Sequence, residues 1–147
     1  MFNKFFTTCL ILVFSSSFFS LSAKAVGVEF SDIQVTVNQQ TYSLEYAVSF
    51  EQRAQGLMLR KSMCADCGML FNFQKVRGVG MWMKNTLIPL DVAFIREDGV
   101  VVNIEAMQPH DLSTTSSLGK VLYAWEMNQG WFLKNGITVG DKVLLRE

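Results

Sequence analysis

Histidine is almost absent from this chain: His110 is the only one in 147 residues. A zinc site built on paired histidines is therefore not on offer. A Ser-His-Asp triad could pass only through His110, with no serine placed beside it. The sequence also lacks a phosphate-cradling Gly-rich loop, a G-x-S-x-G elbow, an H-E-x-x-H helix and an EF-hand loop. Lys plus Arg number 13 and Asp plus Glu number 13, with neither sign clustered. A nucleic-acid surface needs a basic stripe, so a nucleic-acid partner is not expected. Prolines are limited to Pro89 and Pro109, and no repeat, Pro/Gly-rich linker or low-complexity tract divides the chain. This length suits one domain with one modest core.

The first 25 residues differ from the rest. Lys4 supplies a short positive start, Phe5 to Phe19 is apolar with Ser and Thr interruptions, and Ala23-Lys24-Ala25 has the A-x-A form of a cleavage site. This pattern predicts a secretory signal over residues 1–25, a mature chain starting at Val26, and a periplasmic or secreted protein. A membrane anchor fits less well, because the apolar run falls short of the roughly 20 residues that span a bilayer. Cys9 precedes most of that run and so does not suit a lipoprotein. Removal of Lys4 and Lys24 leaves a slight acidic excess and no expected membrane contact.

Two cysteines would remain, as Cys64-Ala-Asp-Cys67. In an oxidising compartment a structural disulfide is the leading reading. Such a small loop contributes at or below the bottom of the usual range of about 2–4 kcal/mol. A redox-active pair is an alternative, although the βαβ pattern of thioredoxin-like folds is not visible around it. Half of a metal site is another, although no second Cys or His pair completes it.

Alternating polarity dominates the rest of the chain. Ile33, Val35 and Val37 share one face of a strand over 28–37, and Tyr42, Leu44, Tyr46 and Val48 share one face of a strand over 41–48. With the polar Asn38-Gln39-Gln40 between them, they predict a β-hairpin. Ser49 and Gln52 form a capping-box signature for a short helix over 50–57 that carries Arg53 and stops at Gly56. Residues 59–68 read as irregular, 69–73 as a strand and 74–80 as a flexible turn. Strands succeed these over 81–84 and 90–95, with Pro89 marking a strand start or an edge. Asp98-Gly99 signals a hairpin into a strand over 100–107. The polar stretch 108–120 reads as a long loop, a candidate lid. A strand over 121–127, a helical turn at Trp131 and a last strand over 142–145 complete a mainly β sandwich or barrel.

Five blocks carry a family resemblance. They are Arg53-x-x-Gly56-Leu57-Met58-x-Arg60, Gly68-Met69-Leu70-Phe71-x-Phe73, Trp82-Met83-Lys84-Asn85-Thr86-x-Ile88-Pro89-Leu90-Asp91, Glu126-Met127-Asn128-x-Gly130-Trp131 and Gly136-Ile137-x-Val139-Gly140-Asp141. In this order they resemble the domain of unknown function 192 family over nearly all of the chain after the leader. The resemblance implies a compact, mainly β domain with a sandwich-like or barrel-like arrangement. It implies no activity, and it assigns no role to Cys64 and Cys67.

The Trp82 block is the main functional candidate. In an extended strand Met81 and Met83 point one way, Trp82 and Lys84 the other. Trp82, Lys84 and Asp91 could then share a face, with Lys84 paired to Asp91 and Asn85 tying down the turn. One reading is a polar knot that fixes register. The other is a binding floor, with Trp82 as a platform for a sugar ring or cation and Lys84, Asn85 and Asp91 supplying directional hydrogen bonds. Trp131 and Glu126 are weaker members of this ligand-binding set. Alternation turns Glu126 away from the side of Trp125 and Met127, and an enzymatic reading would use Lys84, Asp91 and Glu126 as acid, base or orienting groups. Asn128 suits a helix N-cap, and Arg53 with Asp141 suits a fold-closing salt bridge. A soft-metal reading, for copper, would gather the methionines, the cysteines and His110 beside Met107. The leading expectation is a non-catalytic module that binds a small polar, saccharide-like ligand or a partner segment, with no cofactor.

Overall fold

The computed structural model describes residues 27–146, so the predicted leader, Cys9 and the start at Val26 lie outside the described residues. Among the described residues nine strands are present: β1 (Ser31–Val37), β2 (Gln40–Ala47), β3 (Gly68–Arg77), β4 (Gly80–Met81), β5 (Leu90–Ile95), β6 (Val101–Met107), β7 (Thr115–Ser116), β8 (Val121–Asn128) and β9 (Leu144–Arg146). Two short helices, α1 (Phe50–Gln55) and α2 (Trp131–Lys134), accompany them. Seven strands form one sheet in the order β6-β5-β8-β3-β2-β1-β9, and β4 pairs separately with β7. The expected mainly β architecture is thus present.

The sheet curls until its ends approach each other. Val100 bridges Lys142 just outside the edge strands β6 and β9. The Val143 N–H donates to the Gly99 carbonyl at 2.9 Å and the Val101 N–H to the Asp141 carbonyl at 3.0 Å. Gly99 has φ +87°, and a Cβ there would lie 2.2 Å from the Val143 carbonyl oxygen. Only glycine lets the chain turn in the left-handed region with another backbone this close. The curl encloses Ile33, Val35, Leu44, Leu70, Ile95, Trp125, Met127 and the α2 residues Trp131 and Phe132. Trp125 meets Phe132 edge to face with centroids 5.1 Å apart, and Tyr42 meets Trp131 likewise at 4.8 Å. Such pairs add about 0.5–1.5 kcal/mol each beyond the area they bury.

A second apolar cluster lies on the opposite face of the same central strands: Met69, Phe71, Leu90, Val92, Phe94, Met107 and Ala124, covered by Leu57, Val79, Met81, Met83 and Ile88. All six residues of β5 are therefore buried. The β4–β7 ribbon and its flanking loops form that cover. The stretch 108–120 is stitched down: the Asn103 side chain donates to the Ser116 carbonyl at 3.2 Å and accepts from the Leu118 N–H at 3.1 Å. The Ser117 N–H donates to the Val79 carbonyl at 2.9 Å. These bonds hold it against the second cluster.

The predicted β1–β2 hairpin turns at Asn38 and Gln39, both with positive φ (48° and 66°), the signature of a type I′ turn. The capping box forms as expected, with the Gln52 N–H donating to Ser49 Oγ at 3.1 Å and Gln52 Oε1 accepting from the Ser49 N–H at 2.9 Å. Three expectations need correction. Strand β2 runs parallel to β3, so a β2–α1–β3 crossover does flank the cysteine pair. The predicted turn over 74–80 lies mostly in the longer β3, whose register with β8 shifts between Asn72 and Arg77. The predicted strand 81–84 ends at Met81, because the Met83 N–H turns to the Asp111 carbonyl at 2.8 Å and the Thr86 N–H to the Met83 carbonyl at 3.1 Å.

Candidate functional site

The Trp82 block is a loop between β4 and β5. Met83 is buried in the second cluster while Trp82 is 53% exposed, so the alternation of burial persists without the strand. Lys84 lies over the Trp82 ring, its Nζ 5.4 Å from the centroid. Asn85 sits at φ 54°, and its carbonyl accepts from the Leu59 N–H at 2.8 Å, tying this loop to the one after α1. The Thr86 hydroxyl donates to the Lys84 carbonyl at 3.3 Å.

Asp91 does not join that group. It is 8% exposed, and its Oδ2 accepts from the Gly130 N–H at 2.7 Å. Burial pushes the Asp91 carboxyl up, and the bond from Gly130 pulls it partly back. No Lys84–Asp91 ion pair forms; among the described residues the ion pairs are Arg60–Glu45 and Arg96–Asp98. The reason is register. In the β5–β8 ladder Asp91 stands opposite Met127, which packs inside the curl. Its carboxylate instead secures the entry to α2. Gly130, at φ 83°, caps that helix without a side-chain bond. The expected Asn128 cap is therefore absent, and the Asn128 amide donates to the Cys64 carbonyl at 2.9 Å. Trp131 is buried inside the curl, with its Nε1 donating to Asp66 Oδ1 at 2.9 Å, far from a shared face with Trp82.

Glu126 stands opposite Val92 on β5 and Met69 on β3, on the face of the second cluster. Asp91 and Glu126 thus lie on opposite faces of one sheet, and the proposed pair of catalytic carboxylates does not assemble. Glu126 is only 3% exposed and has no hydrogen-bond partner among the described residues. Burial alone pushes its carboxyl up to about 8. A neutral acid is the cheaper form in such a place, since an unpaired buried carboxylate loses its hydration with no return.

Glu126 opens into a cleft of about 300 Å³ between α1, the end of β3 and the Trp82 loop. Phe50, Phe71, Phe73, Met58, Met81 and Trp82 give it apolar walls, and Arg53, Arg77 and Thr86 also line it. Gly56 ends α1 against the Phe71 ring, where a Cβ would come within 3.1 Å. The expected Arg53–Asp141 salt bridge does not exist. Arg53 Nη1 donates to the Val48 carbonyl and, at 3.1 Å, to the Asn72 carbonyl. Asp141 Oδ2 accepts from the Asn38 amide at 3.2 Å and the Thr138 N–H at 2.8 Å. Arg77 lies over the Phe73 ring at 5.5 Å.

Cys64 and Cys67 form a disulfide. They are therefore not thiolate ligands, Met107 is buried in the second cluster, and His110 is exposed on its loop. Met69, Met81, Met83 and Met107 share the second cluster as core side chains, without a thiolate or histidine among them, and no cluster of three or more His, Cys, Asp or Glu able to hold a metal occurs among the described residues.

Sequence reasoning picked out Trp82 and Glu126 but not their common cleft, and it missed Phe71, Phe73 and Arg77 as its lining. A signal was present for Glu126, a lone carboxylate inside the apolar run of β8.

Residues 33–145 match the family model of domain of unknown function 192, described as an uncharacterized ACR. The chain belongs to this family. No match was found among proteins of curated function. A crystal structure of a protein from Sinorhizobium meliloti 1021, labelled a candidate transcription regulator, is similar at 38% identity and a TM-score of 0.77, over 81% of this chain and 97% of that one. A protein of unknown function from Novosphingobium aromaticivorans DSM 12444 is similar at 32% identity and a TM-score of 0.72, over 82% of this chain and 88% of that one. The domain of unknown function 192 family thus supplies a fold without a stated activity.

Proposed function

We propose that this protein is an exported, non-catalytic binding module that takes a small ligand in the cleft between α1 and the Trp82 loop. The observation that carries this reading is the unpartnered, buried Glu126 carboxyl at the base of an aromatic-walled cleft. Ligand sites are concave and mostly apolar, with a few polar groups that fix orientation, and this lining has that composition. Trp82 keeps its part in the binding set. Asp91 and Trp131 leave it, because their polar groups serve the α2 entry and the aromatic core, and Asn85 leaves it because it does not line the cleft. The disulfide suits an oxidising compartment and supports export.

Catalysis is the weaker reading. Glu126 is the one carboxylate in the lining, and Lys84 and Asp91 do not line the cleft, so an acid–base pair would have to come from the ligand. The transcription-regulator label of the Sinorhizobium meliloti relative also fits poorly, because no described helix exceeds the six residues of α1 and none can serve as a recognition helix.

Trp82 gives a direct test. Trp125 and Trp131 are buried, so Trp82 is the exposed indole and a fluorescence reporter inside the cleft. The protein would be screened with aromatic acids, amines, cell-wall sugars and nucleotides by fluorescence and thermal unfolding. A ligand at 100 times its dissociation constant adds about 2.7 kcal/mol, enough to move Tm by several degrees. Trp82→Ala should abolish both signals and leave the fold intact. A shift that persists in Trp82→Ala places the ligand elsewhere and refutes the reading.

A further inference from the structure

The lining of the cleft is chemically lopsided. Two arginines line it, Arg53 on α1 and Arg77 on β3, against one acidic residue, Glu126 on β8. The neighbours of Glu126 on β3 and β5, Met69 and Val92, bring no charge. Arg53 is pinned by Nη1 to two carbonyls, while its Nε and Nη2 have no partner among the described residues. A guanidinium held on one edge and uncommitted on the other is preorganised for a planar anion. Two of the lining rings already carry cations of the chain itself, Lys84 over Trp82 and Arg77 over Phe73. A cationic ligand would have to displace them. An anion would be drawn by them.

Resting on the cleft reading, we propose that the site selects a small amphipathic carboxylate. Its anionic head is taken up by the Arg53 guanidinium and the Glu126 carboxyl. Its aromatic or branched aliphatic body lies against Phe71, Phe73 and Trp82. In this arrangement Glu126 is the donor: its acid proton is shared with the ligand carboxylate, which is why the side chain can stay buried without a protein partner. Burial keeps Glu126 protonated at neutral pH, consistent with that role. The apolar walls exclude water from the head group, so the hydrogen bond and ion pair are stronger there than at an open surface.

The test compares near-isosteres on the whole protein: phenylacetate and 4-methylpentanoate against phenylacetamide and 2-phenylethylamine, read by Trp82 quenching and Tm. The carboxylates should bind at least about tenfold more tightly than the amide, and the amine should bind more weakly still. Glu126→Gln keeps an N–H donor and should retain carboxylate binding within a few-fold. Glu126→Leu keeps the bulk, loses the donor and should weaken binding about tenfold or more. Tighter binding of the amine, abolished by Glu126→Gln, would make Glu126 a counter-ion and overturn this proposal while the cleft reading stands. Binding of a sugar or nucleotide with no response to the carboxylates would do the same. No Trp82-dependent response to any compound would overturn both.

Discussion

Replacement of Glu126 by Gln tests the electrostatics of the cleft without any ligand. The unfolded carboxyl ionises near 4.5, while the folded one is pushed to about 8 by burial. Between those pH values the folded state holds a proton that the unfolded state has released, so stability falls as pH rises. Each pH unit in that window is worth about 1.4 kcal/mol, giving a ceiling of about 5 kcal/mol lost by pH 8 and above. The stability is fully present below pH 4.5 and is lost as pH climbs through 8. Glu126→Gln carries no such proton, and its stability should lack this slope. Urea unfolding of both proteins at pH 5, 7 and 9 should find them similar at pH 5 and the variant more stable at pH 9, by about 2 kcal/mol or more. Because every other titrating group is common to both, the difference isolates Glu126. A difference that stays flat from pH 5 to 9, or one that favours the wild type more as pH rises, would refute a buried, unpartnered acid.

Three further outcomes concern the fold. Asp91→Ala removes the acceptor of the Gly130 N–H and should cost about 1.5–3 kcal/mol in urea unfolding, with Asp91→Asn costing less; two neutral variants would remove Asp91 from the α2 entry. Gly99→Ala puts a Cβ against the Val143 carbonyl at positive φ, and should cost at least about 2 kcal/mol; a change within about 0.5 kcal/mol would mean that the Gly99–Val143 closure is not tight. Cys64→Ser should lower stability by about 2 kcal/mol or less, a loss that reductant should reproduce in the wild type and not deepen in the variant.

Local pattern was legible wherever one face of a strand meets a core and the other does not. Ile33, Val35 and Val37 on β1 were readable in this way, as was the Ser49–Gln52 cap, because both are decided within a few residues. The run Leu90–Ile95 was readable as a strand but not as one buried on both faces, since an apolar run looks the same in either case. The site failed at the same point. Whether Asp91 and Glu126 share a face depends on which residue of β8 stands opposite Asp91. A one-residue offset sends a side chain to the other side of the sheet. Likewise Met81, Trp82 and Met83 alternate in burial because a loop crosses the second cluster, and their spacing alone cannot separate that from a strand. The parallel pairing of β2 with β3 depends on a long-range choice of partner that no local pattern encodes.

The position of the cleft stems from unequal cover on the two faces of the central strands. Inside the curl, β1, β2, β9 and α2 surround Trp125, and the aromatic rings close the space. The opposite face is covered by a two-stranded ribbon, the end of a six-residue helix and loops. These elements present Leu57, Val79, Met81 and Met83 over Val92 and Phe94, yet they leave Phe71 and Glu126 bordering open volume. A carboxyl at that spot works against stability at neutral pH, and an apolar residue of similar size would pack there without the cost of desolvation. Stability therefore gives no reason for Glu126, whereas the proposed ligand, accepting a hydrogen bond from it and filling the volume beside it, would. The same reasoning does not extend to Asp91, also a buried carboxyl, because the Gly130 N–H already accounts for it.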